Sequence, residues 1–486
     1  MSERNFYQEA KDILWDFIDI TGIEEKLLFG NYSLWWYFYP SVYNWLVDRQ
    51  KNKPIEEKLP TKPVKTSNYF AKIRGRVSYT LVKGLLEITN GIDVMCVSNS
   101  TNWQLVSDGR RSLMNDSQFF LIEKELSNLG KRFITVEMNN PSLDLRTLRP
   151  LRFSFQYLKV FKRPRRIEFT MDNKFSREYP KLIEFLTKKI SFSLGRLQED
   201  ILTAEDILKK LNVKKVLVTN ENGSGRIFII AAKKLGIKTV AVQHGIIHNY
   251  HPLYVYPKKS EFVPLADKTA VFGSFAKSIL TEESIYEDKE VEVTGQSRTD
   301  IVDRFSRNML LKNLNITGDR KIILLISQKI SRPSIKLFLE KMNYLKKDME
   351  NLLFLIKLHP NEKNDGFYDF LEAKLGEGAK VIVTKNIDLY ELLSGSDVVV
   401  ATLSTVILEA LLFKKPVVVM DLPGFPDFLN YKMHNVILFA KNSTDLVEKL
   451  ANVLNNKYHH PNLDWFLSQH FNQKSNATKR IISLLD

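Results

Sequence analysis

Lys357-Leu-His-Pro360, followed by Ala401-Thr-Leu-Ser-Thr-Val-Ile-Leu-Glu-Ala410 and Lys415-Pro-Val-Val-Val-Met-Asp421, is the stretch from which the fold is read. A His-Pro pair leaves one apolar run, and a hydroxyl pair opens a helical segment after another. Open α/β sheets present such groups at the carboxyl edge of their strands, where phosphorylated ligands bind.

Working outward, the runs Leu352 to Leu358 and Ser396 to Ala401 belong to a series with Lys321 to Ser327, Ala379 to Thr384, Pro416 to Met420 and Asn435 to Phe439. An earlier series comprises Ile92 to Ser98, Arg132 to Val136, Lys215 to Thr219, Lys238 to Gln243, Asp267 to Phe272 and Val291 to Thr294. Strand-length apolar runs alternating with helical segments predict parallel sheets with crossover helices. The expected architecture is therefore α/β: two Rossmann-like lobes facing a cleft, with an aromatic-rich helical N-terminal extension. Its parts are a helical, aromatic and basic region over 1–90, an acceptor lobe over 91–305 and a donor-nucleotide lobe over 306–462. A C-terminal helix over 463–486 returns to the first lobe. The polar segment Asp300 to Gly318 is the expected hinge.

The length of 486 residues exceeds one ordinary core, in keeping with more than one domain. The single cysteine, Cys96, lies in an apolar strand run, which excludes a disulfide framework and points to the cytoplasm. No run of about twenty uncharged apolar residues is present, and the N-terminus lacks the apolar segment of a secretion signal.

A formal charge of +15 predicts attraction to polyanions. Arg146, Arg149, Arg152, Lys159, Lys162, Arg163, Arg165 and Arg166 occur without an intervening acid and are interleaved with apolar groups, which suits a membrane or acceptor surface. A merely solvated face is the alternative. The aromatics Tyr32 to Trp45 fit either an interfacial belt or the core of a helical subdomain. Nucleic acid is not the expected partner, because no zinc-ligand spacing, aromatic RNA-binding signature or basic zipper accompanies the charge.

Candidate site residues follow from strand ends. Ser404 and Thr405 precede a helical segment whose first N–H groups favour an anion, with Glu409 one turn on to accept from a ribose hydroxyl. Ordinary capping needs one hydroxyl and no ligand. His359 would donate to a donor phosphate, its backbone fixed by Pro360 and its charge supported by Lys357. Gln328, just past its strand, is grouped with these donor-binding residues.

In the first lobe, Thr219-Asn-Glu-Asn-Gly-Ser-Gly-Arg226 follows a strand, so Glu221 is the candidate general base on an acceptor hydroxyl, with Asn220, Gly223 and Arg226 beside it. A glycine turn with a capping acid is the alternative. Gln243 and His244 are assigned to the cleft, Gly245 permits close backbone approach, and His248 and His251 are left unassigned. Metal binding by these histidines has no partner carboxylate or cysteine at ligand spacing.

Together, Glu221 to Arg226, Gln243-His-Gly245, Val293-Thr-Gly-Gln-Ser-Arg-Thr-Asp300, Leu358-His-Pro360 and Leu403 to Met420 resemble GT-B glycosyltransferases. The similarity is to capsule and surface-polysaccharide enzymes, including Kdo-type transferases and polysialyltransferases, and to teichoic-acid glycerophosphotransferases. The resemblance implies an inverting transfer of a sugar from a nucleotide-sugar to a lipid-linked or polymeric surface glycan. It further implies that no cofactor or metal is required and that Glu221 and His359 are catalytic. It departs from the family where Asn220-Glu221 replaces an acidic pair and where the serine-rich donor loop is reduced to Ser404-Thr405. Alternatives are a nucleotide-sugar 2-epimerase of the same fold, a CDP-polyol phosphotransferase and a non-catalytic binding protein. The expected location is cytoplasmic, peripheral on the inner face of the cell membrane.

Overall fold

The computed structural model describes residues 5–50, 91–98, 103–109, 112–137, 152–155, 167–171, 174–219, 221, 223–318, 320–348, 351–360, 362–375, 379–402, 404–422, 426–456, 458, 460–472 and 476–486. The chain opens with the helices Phe6–Thr21 and Trp35–Gln50, between which β1 (Leu28–Phe29) and β2 (Tyr32–Ser33) form a short antiparallel pair. The first lobe follows with β3 (Ile92–Ser98), the antiparallel hairpin β4 (Trp103–Ser107) and β5 (Ser112–Asp116), β6 (Phe133–Glu137) and β7 (Arg152–Ser154). It continues with β8 (Val213–Val218), β9 (Lys238–Val242), β10 (Lys268–Val271) and β11 (Val291–Val293). The second lobe has β12 (Lys321–Ile326), β13 (Leu352–Lys357), β14 (Lys380–Thr384), β15 (Val398–Ala401), β16 (Val417–Met420) and β17 (Leu438–Ala440).

Both main sheets are wholly parallel. Their strand orders are β11-β10-β9-β8-β3-β6-β7 and β14-β13-β12-β15-β16-β17. In each, the first strand stands inside the sheet and the winding reverses beside it, between β3 and β8 and between β12 and β15. A doubly wound sheet opens a crevice at that reversal, outside the carboxyl ends of its strands. Helices cover both faces, so strands such as Ile322 to Ile326 and Leu352 to Ile356 are continuously apolar and buried.

The expected strand runs are all present as strands, within three residues at their ends. The hairpin and β7 were not anticipated. The strand β7 lies inside the basic block and pairs in parallel with β6 through Arg152 to Ser154, so this part belongs to the sheet. Arg146, Arg149, Lys159, Lys162, Arg163, Arg165 and Arg166 lie outside the described residues.

The N-terminal helices do not form a separate subdomain. Trp35, Trp36, Phe38, Tyr39 and Tyr43 are at most 2% exposed and join the same core as the helix Pro180–Lys210 and one face of the first sheet. Trp36 packs edge-on against Tyr256 at 4.9 Å and donates its indole N–H to Glu24 Oε1 at 2.7 Å. Truncating a buried aromatic costs ~3–5 kcal/mol, so these rings are bound into the lobe and are not a membrane belt.

The segment expected as a hinge is structured, with a 3-10 stretch Ser297–Arg304 and a helix Arg307–Asn313 that packs on the helix Leu389–Gly395 of the second lobe. After the second lobe the chain recrosses. The helix Leu463–His470 joins the apolar cluster between the lobes, and Ile481, Ile482 and Leu485 pack on Val94, Cys96 and Phe119 of the first. Gly273 permits the crossing, because a Cβ there would stand 2.3 Å from the backbone oxygen of Gln469.

Candidate active site

A cavity of about 370 Å³ lies between the lobes, where the carboxyl ends of the two sheets face each other. The second lobe contributes Gln328 beyond β12, Lys357, His359 and Pro360 at and beyond β13, and Ser404, Thr405 and Glu409 beyond β15. From the first lobe come His244 and Gly245 beyond β9, Gln296 and Arg298 beyond β11, and Gln118 from the turn after β5. All the donor-side residues expected from sequence therefore converge on one cavity, and His244 and Gly245 face them.

The helix Val406–Leu412 begins where β15 ends, and the two hydroxyls divide the expected roles. Ser404 Oγ accepts the Val406 N–H at 3.2 Å, which is capping. The Thr405 side chain makes no cap bond and is exposed in the cleft. Across it lies Gly245, with φ +82°, a left-handed conformation that glycine adopts without strain. A Cβ at Gly245 would reach Thr405 Cγ2 at 3.8 Å, so the two lobes nearly touch here.

His359 is exposed at the cleft, its backbone N–H held by Glu362 Oε2 at 2.8 Å. Desolvation lowers its pKa, with Glu362 opposing and Lys385 assisting. Lys357 is buried and donates to the carbonyls of Ile387 at 2.6 Å and Lys385 at 3.1 Å, and burial lowers its pKa to about 8. Gln328 Oε1 accepts from Thr402 Oγ1 at 3.0 Å, which fixes the amide.

His244 is held by its backbone N–H, which donates to Tyr254 Oη at 3.1 Å, while its buried Nδ1 has no partner among the described residues. Burial lowers its pKa, so the ring is neutral near pH 7. A neutral imidazole with a free nitrogen in a cleft is suited to accept a proton.

The remaining first-lobe expectations are corrected. Glu221 is 1% exposed and does not line the cavity. Its Oε1 accepts from Ala266 N at 2.7 Å and Thr269 Oγ1 at 3.2 Å, and its Oε2 from Tyr286 Oη at 2.5 Å. Both oxygens are occupied inside the lobe, so Glu221 does not face an acceptor. Arg226 is also buried, donating to the Trp36 carbonyl and to Tyr256 Oη at 2.6 Å, and thereby ties the N-terminal helices to the lobe. Gln243 shapes its loop, accepting from Phe272 N at 2.7 Å and donating to the Gly245 carbonyl at 2.8 Å. Gly223 opens the helix Gly223–Lys234 away from the cavity, and Asn220 lies outside the described residues.

His248 and His251 shape a loop rather than ligate: each Nδ1 accepts a backbone N–H two residues on, at 3.2 and 3.3 Å. Among the described residues, no group of three or more His, Cys, Asp or Glu side chains could hold a metal ion, and no helix is long and apolar enough to cross a membrane.

Sequence reasoning missed Gln118, Gln296, Arg298 and Asp388. Gln296 and Arg298 do fall in the strand-end motif Val293 to Asp300, which was the available signal; the turn bearing Gln118 offered none. Arg298 stacks on Tyr390 at 3.9 Å from the ring centre and donates to both Asp388 oxygens. Glu409 joins this network through Gln296 Nε2 at 3.5 Å, and burial raises its pKa.

Residues 306–465 match the family described as glycosyl transferases group 1. No curated protein matches the chain in sequence. Among solved structures, a UDP-GlcNAc 2-epimerase from Methanocaldococcus jannaschii aligns with TM-score 0.54 at 14% identity, over 81% of this chain and 99% of its own. The S. aureus MnaA-UDP co-structure aligns with TM-score 0.51 at 16% identity, over 80% and 95%. The wall teichoic acid polymerase TagF soaked with CDPG aligns with TM-score 0.50 at 13% identity, over 87% and 98%. The fold is thus GT-B, and the family match lies in its second lobe.

Proposed function

We propose that this chain is an inverting, metal-independent glycosyltransferase that moves a sugar from a nucleotide-sugar to a lipid-linked or polymeric surface glycan. The observation that carries this reading is the placement of His244, whose buried Nδ1 has no partner among the described residues, on the cavity that His359 and Thr405 also line. In this reading the nucleotide lies on the second lobe, its diphosphate between His359 and the helix start at Thr405, and Glu409 accepts from a ligand hydroxyl. The negative charge of a diphosphate beside His359 opposes the desolvation that lowers its pKa, which favours the charged, donating ring as the donor binds.

His244 replaces Glu221 as the general base. Nδ1 takes the proton of the acceptor hydroxyl as its oxygen bonds to the anomeric carbon, and the bond from that carbon to the diphosphate breaks. The diphosphate leaves with its electron pair, met by His359, Lys357 and the Thr405 hydroxyl. Support for an anionic acceptor or membrane surface comes from sequence, in the charge of +15 and the basic block around Arg149 and Arg163.

The first test is a thermal-shift titration of the whole chain with CMP, CDP, UDP, GDP and dTDP, each with and without magnesium. One nucleotide is expected to raise Tm without metal. A flat response to all five removes the donor site and the transferase reading with it.

A further inference from the structure

We propose that the first-lobe wall of the cleft is a subsite for an uncharged, hydroxyl-bearing sugar, received by the side-chain oxygens of Gln118 and Gln296. The donor then carries a neutral glycosyl unit rather than an acidic sugar or a polyol phosphate. This inference rests on the donor reading above.

Gln118 and Gln296 are 9% and 5% exposed, both line the cavity, and neither Oε1 has a partner among the described residues. The amide of Gln296 is oriented by its Nε2, which donates to Glu409 Oε1, so the oxygen is the end left for a ligand. The two residues come from separate elements but are joined, since Ser297 Oγ donates to the Gln118 carbonyl at 3.0 Å. Leaving a buried acceptor unsatisfied costs about 1–3 kcal/mol, which a ligand O–H or N–H relieves. Two such acceptors on one cavity match a ring bearing hydroxyl or amide groups.

The cations near these amides are already engaged, which disfavours the acidic alternatives. Arg298 is the cation beside these amides, and its Nη2 is committed to both oxygens of Asp388. Its unpartnered Nε supplies one donor, enough for a hydroxyl or ring oxygen. A ligand carboxylate or phosphate placed here would face the carboxylates of Asp388 and Glu409, and the second cation, Lys357, already donates to the carbonyls of Lys385 and Ile387. A sugar hydroxyl instead finds two acceptors and one donor.

The test is calorimetric titration of the full chain with UDP, UDP-glucose, UDP-N-acetylglucosamine, GDP, GDP-mannose, dTDP, dTDP-glucose, CMP, CMP-N-acetylneuraminate, CDP and CDP-glycerol. A neutral sugar nucleotide is expected to bind about ten-fold tighter than its own free diphosphate. Gln118→Leu and Gln296→Leu should each abolish that gain and leave free-nucleotide affinity within about two-fold. If a leucine variant does not fold, Gln118→Met or Gln296→Met offers a longer, unbranched replacement. The inference is overturned if CMP-N-acetylneuraminate or CDP-glycerol gains over its free nucleotide while neutral sugars gain nothing. It is equally overturned if the variants weaken free nucleotide as much as sugar nucleotide, since the two oxygens would then serve the ribose. Binding of free nucleotide with no gain from any sugar rejects this subsite alone, whereas no binding by any nucleotide rejects the donor reading as well.

Discussion

Arg298 and Asp388 join the two lobes by an ion pair buried at the floor of the cleft, with Nη2 2.9 Å and 3.0 Å from the two carboxylate oxygens. Asp388 also accepts the backbone N–H of Ser107, from the first lobe's hairpin, at 2.8 Å, and that of Tyr390 at 2.7 Å. Removing one partner strands a buried charge, which costs about 3–5 kcal/mol. Arg298→Met should lower stability by that amount in urea unfolding, and Arg298→Lys should recover little of it, because a single ammonium cannot reproduce the planar guanidinium on Tyr390.

Glu221 was expected to be the base, and the structure makes it a structural carboxylate. Glu221→Ala leaves Ala266 N, Thr269 Oγ1 and Tyr286 Oη without their acceptor, each worth about 1–3 kcal/mol when buried. The expected result is a large fall in Tm. At a temperature where the variant remains folded, donor affinity and turnover per folded molecule should be close to those of the parent.

His244→Asn should reduce turnover by about two powers of ten or more, the size of a general-base loss, while nucleotide binding survives. Burial lowers the ring's pKa, so in the parent the acid limb of the pH–rate profile should lie below the ordinary histidine value of 6.5. The limb should vanish in the variant.

Asp116 supports the turn that carries Gln118: it accepts from Gln118 N at 2.8 Å and Phe119 N at 3.3 Å and pairs with Ser98. Burial raises its pKa from 3.8 to about 6. The folded chain therefore holds a proton that the unfolded chain releases, and this contribution to stability is full below about pH 4 and declines as pH rises toward 6. Denaturant titrations of the parent and Asp116→Asn across that window should diverge by on the order of 2 kcal/mol, with the variant lacking the decline.

The two sheets were legible because parallel strands buried on both faces read as continuous apolar runs, as in Lys321 to Ile326. The donor side was legible for a related reason: Lys357, His359, Ser404 and Thr405 come directly off such runs. The first lobe was misread because a polar residue at a strand end does not declare its direction. Glu221, Arg226 and Gln243 turn inward to partners supplied by Tyr286, Trp36 and Phe272, which are remote in sequence. The same distance hid Arg298 and Asp388, ninety positions apart. Gln118 stands on a hairpin turn that no apolar run foreshadows.

The route of the chain between the lobes has a mechanical consequence. It leaves the first lobe through Ser297–Arg304 and returns to it through the helix Ala477–Ser483, and Asp300 fastens the two passages by accepting the N–H groups of Ala477 and Thr478, each at 2.8 Å. A single connecting strand would let one lobe swivel freely against the other. Two tied strands act as the paired knuckles of a door: they pass a swing about the line that joins them and resist twist and slip. The tie thus favours a single register of the His244 face against Thr405.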